Sequence, residues 1–322
     1  MAFVTKLRTF ASKIESVAGT AETLTNADNN LRVTDLAIAS LDVPMDQSPA
    51  KYATGDMFND YGIPGPQAAS INGSVKLFSD GPSTEPAWTK LIKGCGVSAT
   101  SEADGYVLYP AKQAIGTSLT IGIYDQEAIA SPQALFYSFP GCVGNCSIKA
   151  DGVGKPYVAA FEFKGGLEDI TDVALTAVPV FSASSNVIPD RFLNGSITIG
   201  SFSACISTLE FNLGNTVNPI ECIGAADGIV QYIITESAPT LTVNPLLMRN
   251  SEYDFWGKFT AGTMEEVVVE TAQFKLTIPR AQITTASVGD RAGVLETPMT
   301  FAALRAATAG SYNYAPWTLQ IK

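Results

Sequence analysis

Five cysteines and no histidine limit what this 322-residue chain can do chemically. Without an imidazole, Ser-His-Asp and Cys-His catalysis, His-ligated zinc and His proton shuttles are excluded. Cys142-Val-Gly-Asn-Cys146 has the wrong spacing for a CxxC redox pair. On a strand, residues four apart face the same way, so these two thiols read as packing. Asp151-Gly-Val-Gly-Lys155 resembles a phosphate loop at first sight, but it lacks the leading glycine, and Pro156 stands where the magnesium-binding hydroxyl would be. It reads as a hairpin turn. The carboxylate pairs Glu168-Asp169 and Glu265-Glu266 are adjacent in sequence. Neighbours on a strand point to opposite faces, so neither pair can flank one scissile bond, and both read as solvated charges. Asn72-Gly-Ser74, Asn145-Cys-Ser147 and Asn194-Gly-Ser196 match the glycosylation acceptor pattern and read as turn residues in a chain without an evident secretory leader. The expectation is a protein that is not an enzyme, with no catalytic, metal or cofactor residues.

The elements around these residues carry few charges. Asp and Glu number 31 against 20 Lys and Arg, a formal net charge of −11, so a reader of nucleic acid through phosphate neutralisation is not expected. Charged residues make up 16%, below the roughly 25% usual for soluble domains. So much uncharged surface implies cover by partner subunits. The odd cysteine count and the absence of a leader suggest synthesis in a reducing compartment. The longest uncharged stretch, 128–148, is broken by Pro132, Pro140, Gly141 and Gly144, too densely for a membrane helix, and the protein is expected to be soluble.

Phe3, Leu7, Phe10, Ile14 and Val17 form a helical stripe that Gly19 could stop, predicting a short helix packed on its own domain. A transit peptide or membrane-surface helix would show the same stripe, but Glu15 and the modest basic count argue against it. After Thr25 the period changes to that of strands. A first set covers 31–43, 71–78, 106–109, 119–124, 135–148 and 157–163, and a second covers 197–206, 209–213, 229–234, 240–243, 267–278 and 294–301. Residues 119–124 and 161–164 alternate apolar and polar, as half-buried antiparallel strands do. Pro86 to Lys93 reads as a short helix closed by Gly94. The fold class expected is mainly β: two tandem antiparallel β-sandwich or partly closed barrel modules, 1–170 and 171–322, with one or two short helices.

Two further features concern organisation. Phe136-Tyr-Ser-Phe-Pro140 followed by Phe161 and Phe163 is echoed by Leu276-Thr-Ile-Pro279 followed by Met299 and Phe301, a faint repeat that duplication or chance could produce. The stretch 44–66 breaks the strand rhythm with Pro44, Pro49, Pro64 and Pro66, yet holds Met45, Tyr52, Met57, Phe58, Tyr61 and Ile63. Solvated linkers are poor in such residues, so these six are the candidates for subunit or ring contacts, the alternative being a loop folded on its own domain.

Several stretches taken together resemble the major tail tube proteins of long-tailed bacteriophages. They are Lys13 to Thr20 with Leu24 to Asp28 and Leu31 to Leu36, Ile71 to Phe78, the Trp88 helix with Gly94-Cys-Gly96, and Gly154 to Lys164. In the second half they are Phe211 to Asn215, Thr240 to Pro245, and Ile278 to Gln282 with Gly289 to Gly293. The resemblance implies a virion protein, made in the host bacterial cytoplasm, whose rings stack into the hollow tail tube. It implies as partners other copies of itself, in trimeric pseudo-hexameric rings or alternatively hexameric ones, together with the tape-measure and tail-end proteins. Genomic DNA would pass through without specific binding, and no membrane would be involved. An acidic lumen would repel phosphates and let DNA slide. The rival readings are a tail-end, baseplate or capsid-decoration protein on the same module, and a carbohydrate-binding or adhesion β-protein. The scattered Trp88, Trp256 and Trp317 argue against the last.

Overall fold

The computed structural model describes residues 3, 5–43, 45–46, 63–81, 84–111, 117–127, 133–168, 170–181, 188–225, 228–307, 312 and 314–322. The chain is mainly β, built of antiparallel strands with two short α-helices among the described residues, and its sheets do not close into a barrel.

The first run of elements is β1 (Thr9–Ile14), β2 (Val33–Asp42), the ribbon strands β3 (Met45–Asp46) and β4 (Ile63–Pro64), β5 (Ala68–Lys76), α1 (Thr89–Lys93), β6 (Val97–Glu102), β7 (Gly105–Pro110), β8 (Leu119–Gln126), β9 (Gln133–Ala150), β10 (Val158–Gly165) and β11 (Thr171–Ala174). The second run is β12 (Ser196–Ile199), β13 (Phe202–Ser203), β14 (Leu209–Asn212), the ribbon strands β15 (Asn215–Glu221) and β16 (Ile229–Ser237), β17 (Thr240–Val243), α2 (Phe255–Ala261), β18 (Met264–Glu270), β19 (Phe274–Ala286), β20 (Gly289–Arg291), β21 (Val294–Glu296), β22 (Met299–Ala303) and β23 (Thr318–Ile321).

Pairings made in the first run recur in the second in the same order. β1 lies on β8 as β12 lies on β18, and β2 on β5 as β14 on β17. β5 pairs with β10 as β17 does with β22. β8 and β10 flank β9 as β18 and β22 flank β19, and β11 and β23 each cap the start of those long strands. A helix precedes β8 and β18 in each run, and a two-stranded ribbon separates β2 from β5 and β14 from β17. The runs differ in their additions, β6–β7 in one and β13 and β20–β21 in the other.

The runs are joined by β9 with β14 and by β7 with β23, and one apolar core spans both. Its largest side chains with almost no exposure include Trp88, Phe139, Phe211, Phe255, Phe301 and Trp317. Trp88 meets Phe274 edge to face at 6.1 Å between ring centroids, an aromatic contact that bridges the halves.

Several expectations need correction: 197–206 and 294–301 each hold two short strands and not one, and Asn72 and Asn145 sit within β5 and β9 and not in turns. The N-terminal stripe is not a helix: Thr5–Leu7 is a 3-10 turn, and Thr9–Ile14 is a strand on β8. A short helix is marginal in water, whereas the open edge of β8 offers a full ladder to Thr9, Phe10 and Ile14. Residues 267–278 are a hairpin, with a turn at Thr271–Gln273, not one strand. β8 is buried on both faces, not one, because Gly122 leaves room for Leu24 and Phe136 above it and Thr120 is hydrogen-bonded within the layer. β10 does alternate as its sequence suggests. Two local signals near α2 mark its ends: Asp254 caps the N-terminus by accepting from the Gly257 amide at 2.8 Å, and Gly262 closes it at φ +64°.

Candidate functional site

The feature with most bearing on function is the seam where the second run adds to the first. Beyond Gly141, β9 pairs with β10 on one side and with β14 on the other, in the register Ser147↔Asn212, Ile148↔Phe211, Lys149↔Glu210 and Ala150↔Leu209. The apolar side chains of this ladder enter the core, where Phe211 meets Trp317 edge to face at 5.2 Å. The alternate positions face outward, and Lys149 Nζ lies 3.0 Å from Glu210 Oε1. That pair is partly exposed and contributes about 0–1 kcal/mol. Asn145 donates to Asn212 Oδ1 at 3.1 Å and accepts from the Asn215 amide at 3.1 Å, while the Asn215 side chain donates to the Cys95 and Gly144 carbonyls at 2.7 and 3.1 Å. Asn145, one of the glycosylation-pattern residues, is thus used to pin the base of the β15–β16 ribbon. The ribbon folds back over β9, with Val217 and Tyr232 buried against Val143.

Both long strands change partners at a proline. In β9, Phe139 faces Ile121 and Cys142 faces Leu119, so Pro140 and Gly141 bulge opposite Thr120 alone. In β19, Ile278 faces Val267 and Ala281 faces Glu265, so Pro279 and Arg280 bulge opposite Glu266. Proline lacks a ladder donor and is confined to such interruptions. The proline echo in the sequence therefore corresponds to the same bulge at the same place in each run.

A carboxylate braces the first bulge, and another lies beside the second. Glu15 is buried and accepts from Ser118 Oγ at 2.5 Å, the Gly141 amide at 2.7 Å, the Gly19 amide at 2.8 Å and Thr120 Oγ1 at 2.9 Å. Four donors compensate the lost hydration of this charge. In the second run Glu265 is held by Tyr253 Oη and by Lys258 Nζ, which also sits 3.9 Å from the Tyr253 ring centre. The α1 counterpart, Lys90, is partly buried and donates to the Asn30 side chain at 2.7 Å and to the Ser12 and Asp28 carbonyls at 2.9 and 3.0 Å. Burial pushes its ammonium down to about 8, partly opposed by Asp28.

The chain matches no protein-family model and no curated protein.

Of the six sequence-derived contact candidates, Met45 and Ile63 lie in the β3–β4 ribbon, with Met45 opposite Pro64 and Asp46 opposite Ile63. Tyr52, Met57, Phe58 and Tyr61 lie outside the described residues. Cys142 and Cys146 are buried in the core, and burial pushes both thiols up. Asp151 to Lys155 forms the connection between β9 and β10. Among the described residues no three Cys, Asp or Glu side chains gather as metal ligands, and no helix is long and apolar enough to cross a membrane. Sequence reasoning missed Glu15, Lys90 and the seam; apart from the Gly19 amide beside Glu15, their partners lie 59 to 126 residues away, so no local pattern reveals them.

Proposed function

We propose that this protein is a structural subunit of a bacteriophage tail tube, joining other copies head to tail into closed rings that stack around passing DNA. The observation that carries the reading is the repeated topology joined at the β9–β14 seam, because a unit that already adds one module to the next within a chain can add further modules between chains. An origin by internal duplication, with three chains supplying six module places in a ring, fits that arrangement. The net charge of −11 suits a conduit that must not hold DNA. The 45–63 region, which holds the Met45, Tyr52, Met57, Phe58, Tyr61 and Ile63 candidates, is proposed to serve contacts between subunits or rings. The tape-measure and tail-end proteins would complete the virion tail.

An adhesion reading gains no observation, since Trp88 and Trp317 are spent in the core and cannot form a sugar-stacking platform. Negative-stain electron microscopy of the purified protein tests the proposal. Stacked rings with three-fold symmetry are expected. Six chains per ring would require a different division of labour between the halves, one closed ring without stacking would favour a tail-end or decoration role, and permanent monomers would refute the reading.

A further inference from the structure

The seam inside the chain has a counterpart that is open at both ends, and the ladder positions can be counted. In the first run one row across the sheet reads Gly144, Phe163, Ile71, Ile38; in the second the matching row reads Ile283, Phe301, Leu241, Phe211. Ile38 of β2 is therefore the counterpart of Phe211 of β14. Phe211 pairs with Ile148, which lies four residues past Gly144. Counting the same distance past Ile283, and one more for the extra residue that β19 bulges out at Thr284, arrives at Val288, two residues past the end of β19 in its link to β20.

Neither counterpart has a strand partner on the relevant side among the described residues. β2 pairs with β5 alone, and β19 beyond Gln282 pairs with β22 alone. Their side chains also look unfinished. In the internal seam Ile148 and Phe211 are 7% and 1% exposed, whereas Val288 is 56% exposed and Ile38, though it packs on the core, stays only partly buried. The adjoining β20–β21 hairpin, which occupies the position of the β9–β10 turn, exposes Val294 and Leu295 as well, at 52% and 53%.

A receptor for that hairpin exists beside β2. A groove of about 670 Å³ runs between β1 and β2, lined among others by Lys6, Arg8, Arg32, Leu36 and Phe181. Arg8 is engaged by Asp125 at 2.6 Å and Asp35 also faces the groove, but its remaining charge is basic, from Lys6 and Arg32. The hairpin brings Asp290 and Glu296, of which Glu296 already faces Arg291 at 3.7 Å. Open ladder, exposed apolar side chains and opposite charge thus coincide at the two ends of one molecule.

We infer that β2 of one chain adds, antiparallel, to the end of β19 of a second copy, with Ile38 opposite Val288, and that the second copy's β20–β21 hairpin seats in the groove beside β2. The occupant of the open edge is another molecule of this protein, joined by the same ladder that joins its own two halves. The inference deepens the head-to-tail reading above and rests on it for the identity of the partner.

Paired cysteines read the register directly, because facing residues in an antiparallel ladder fall within disulfide reach. In a background carrying Cys205→Ser and Cys222→Ser, the exposed thiols, Ile38→Cys with Val288→Cys should give intermolecular disulfides on mild oxidation. Leu41→Cys with Val288→Cys should give at least tenfold less. Val288→Lys, at a position exposed in the single chain, should leave its circular dichroism unchanged and weaken assembly by about a hundredfold through a buried unpaired charge. Rings or tubes visible by microscopy that neither cross-link at this pair nor respond to Val288→Lys would overturn the strand pairing while leaving the ring reading intact. A stronger cross-link from the Leu41 pair would overturn the register. Unmodified protein that stays monomeric at every concentration would overturn both the inference and the function.

Discussion

The two runs of strands share a topology but differ in how each is finished. The second run rests β14 on β9, puts its ribbon against Val143 and has β7 beside its last strand, so these edges are covered from within the molecule, and the end of β19 is left open. Among the described residues the first run leaves β2 with a single strand neighbour and the β1–β2 groove open. The same backbone plan therefore yields a core ladder in one place and a surface edge in the other. What differs is the presence of a partner strand and not the residue types, since Ile38 and Phe211 are both apolar.

The sharpest way to break this comparison is to truncate its two equivalent positions. Phe211→Ala should cost about 3–5 kcal/mol in urea unfolding, because it opens a cavity beside Trp317. Ile38→Ala should cost about 1 kcal/mol or less in the isolated chain, where the residue is only half buried, and more once the chain has assembled. Equal losses in the monomer would mean that the edge is already closed by something else in the chain.

The two helix lysines offer the next contrast. The Lys90 pKa is lowered from near 10.5 to about 8, so below pH 8 it is charged in both folded and unfolded chains and its burial penalty is fully present. Between pH 8 and 10.5 the unfolded chain holds the proton that the folded chain has released, and stability rises with pH as the penalty fades. Against a Lys90→Met variant, which removes the other titrations from the difference, wild type should gain up to ~3 kcal/mol across that window. Lys258, the other helix lysine, is instead paired with Glu265 at 2.5 Å. A flat difference for Lys90 in chemical denaturation at stepped pH would show that its three acceptors fully replace water.

The carboxylates under the bulges come third. Glu15→Gln keeps the shape but puts a donor among four donors, and should cost about 2 kcal/mol with little dependence on salt. Lys258→Ala should cost about 1 kcal/mol, falling as salt screens the half-exposed pair. Thermal unfolding at low and high sodium chloride separates them. The smallest effect is expected at the seam itself: a double-mutant cycle on Lys149 and Glu210 should give a coupling of about 0.5 kcal/mol, confirming that apolar burial and the ladder hold the seam and not this ion pair.

Much of the β content was legible because Val, Ile, Phe and Thr cluster between turn formers, and the Pro140 and Pro279 echo pointed to a feature shared by the two long strands. The legible part ended where a partner from elsewhere decides the outcome. Thr9 to Ile14 carries a helical stripe and becomes a strand because β8 is available; Leu119 to Tyr124 alternates and is nonetheless buried on both sides because Gly122 admits Leu24. The hairpin turn at Thr271–Gln273 has neither Gly nor Pro and left no mark. Of the contact candidates, composition singled out Met45 and Ile63, which the structure places on a ribbon, while Ile38 in β2 and Val288 just past β19 look like any other apolar residues until the ladders are counted.

The eighteen residues of β9 also have a mechanical meaning. At ~3.3 Å per residue the strand is about 60 Å long, and it runs unbroken from β8 and β11 at one end to β10 and β14 at the other. A pull along its axis loads these ladders in shear, so their hydrogen bonds share the force instead of parting one after another. The bulge at Pro140 bends the strand without cutting it, and Glu15 fastens the bend. A push on the seam is therefore carried through a stiff rod to the far layer, and a wall made of such pieces would bend as a solid shell does, by small strains spread over many strands.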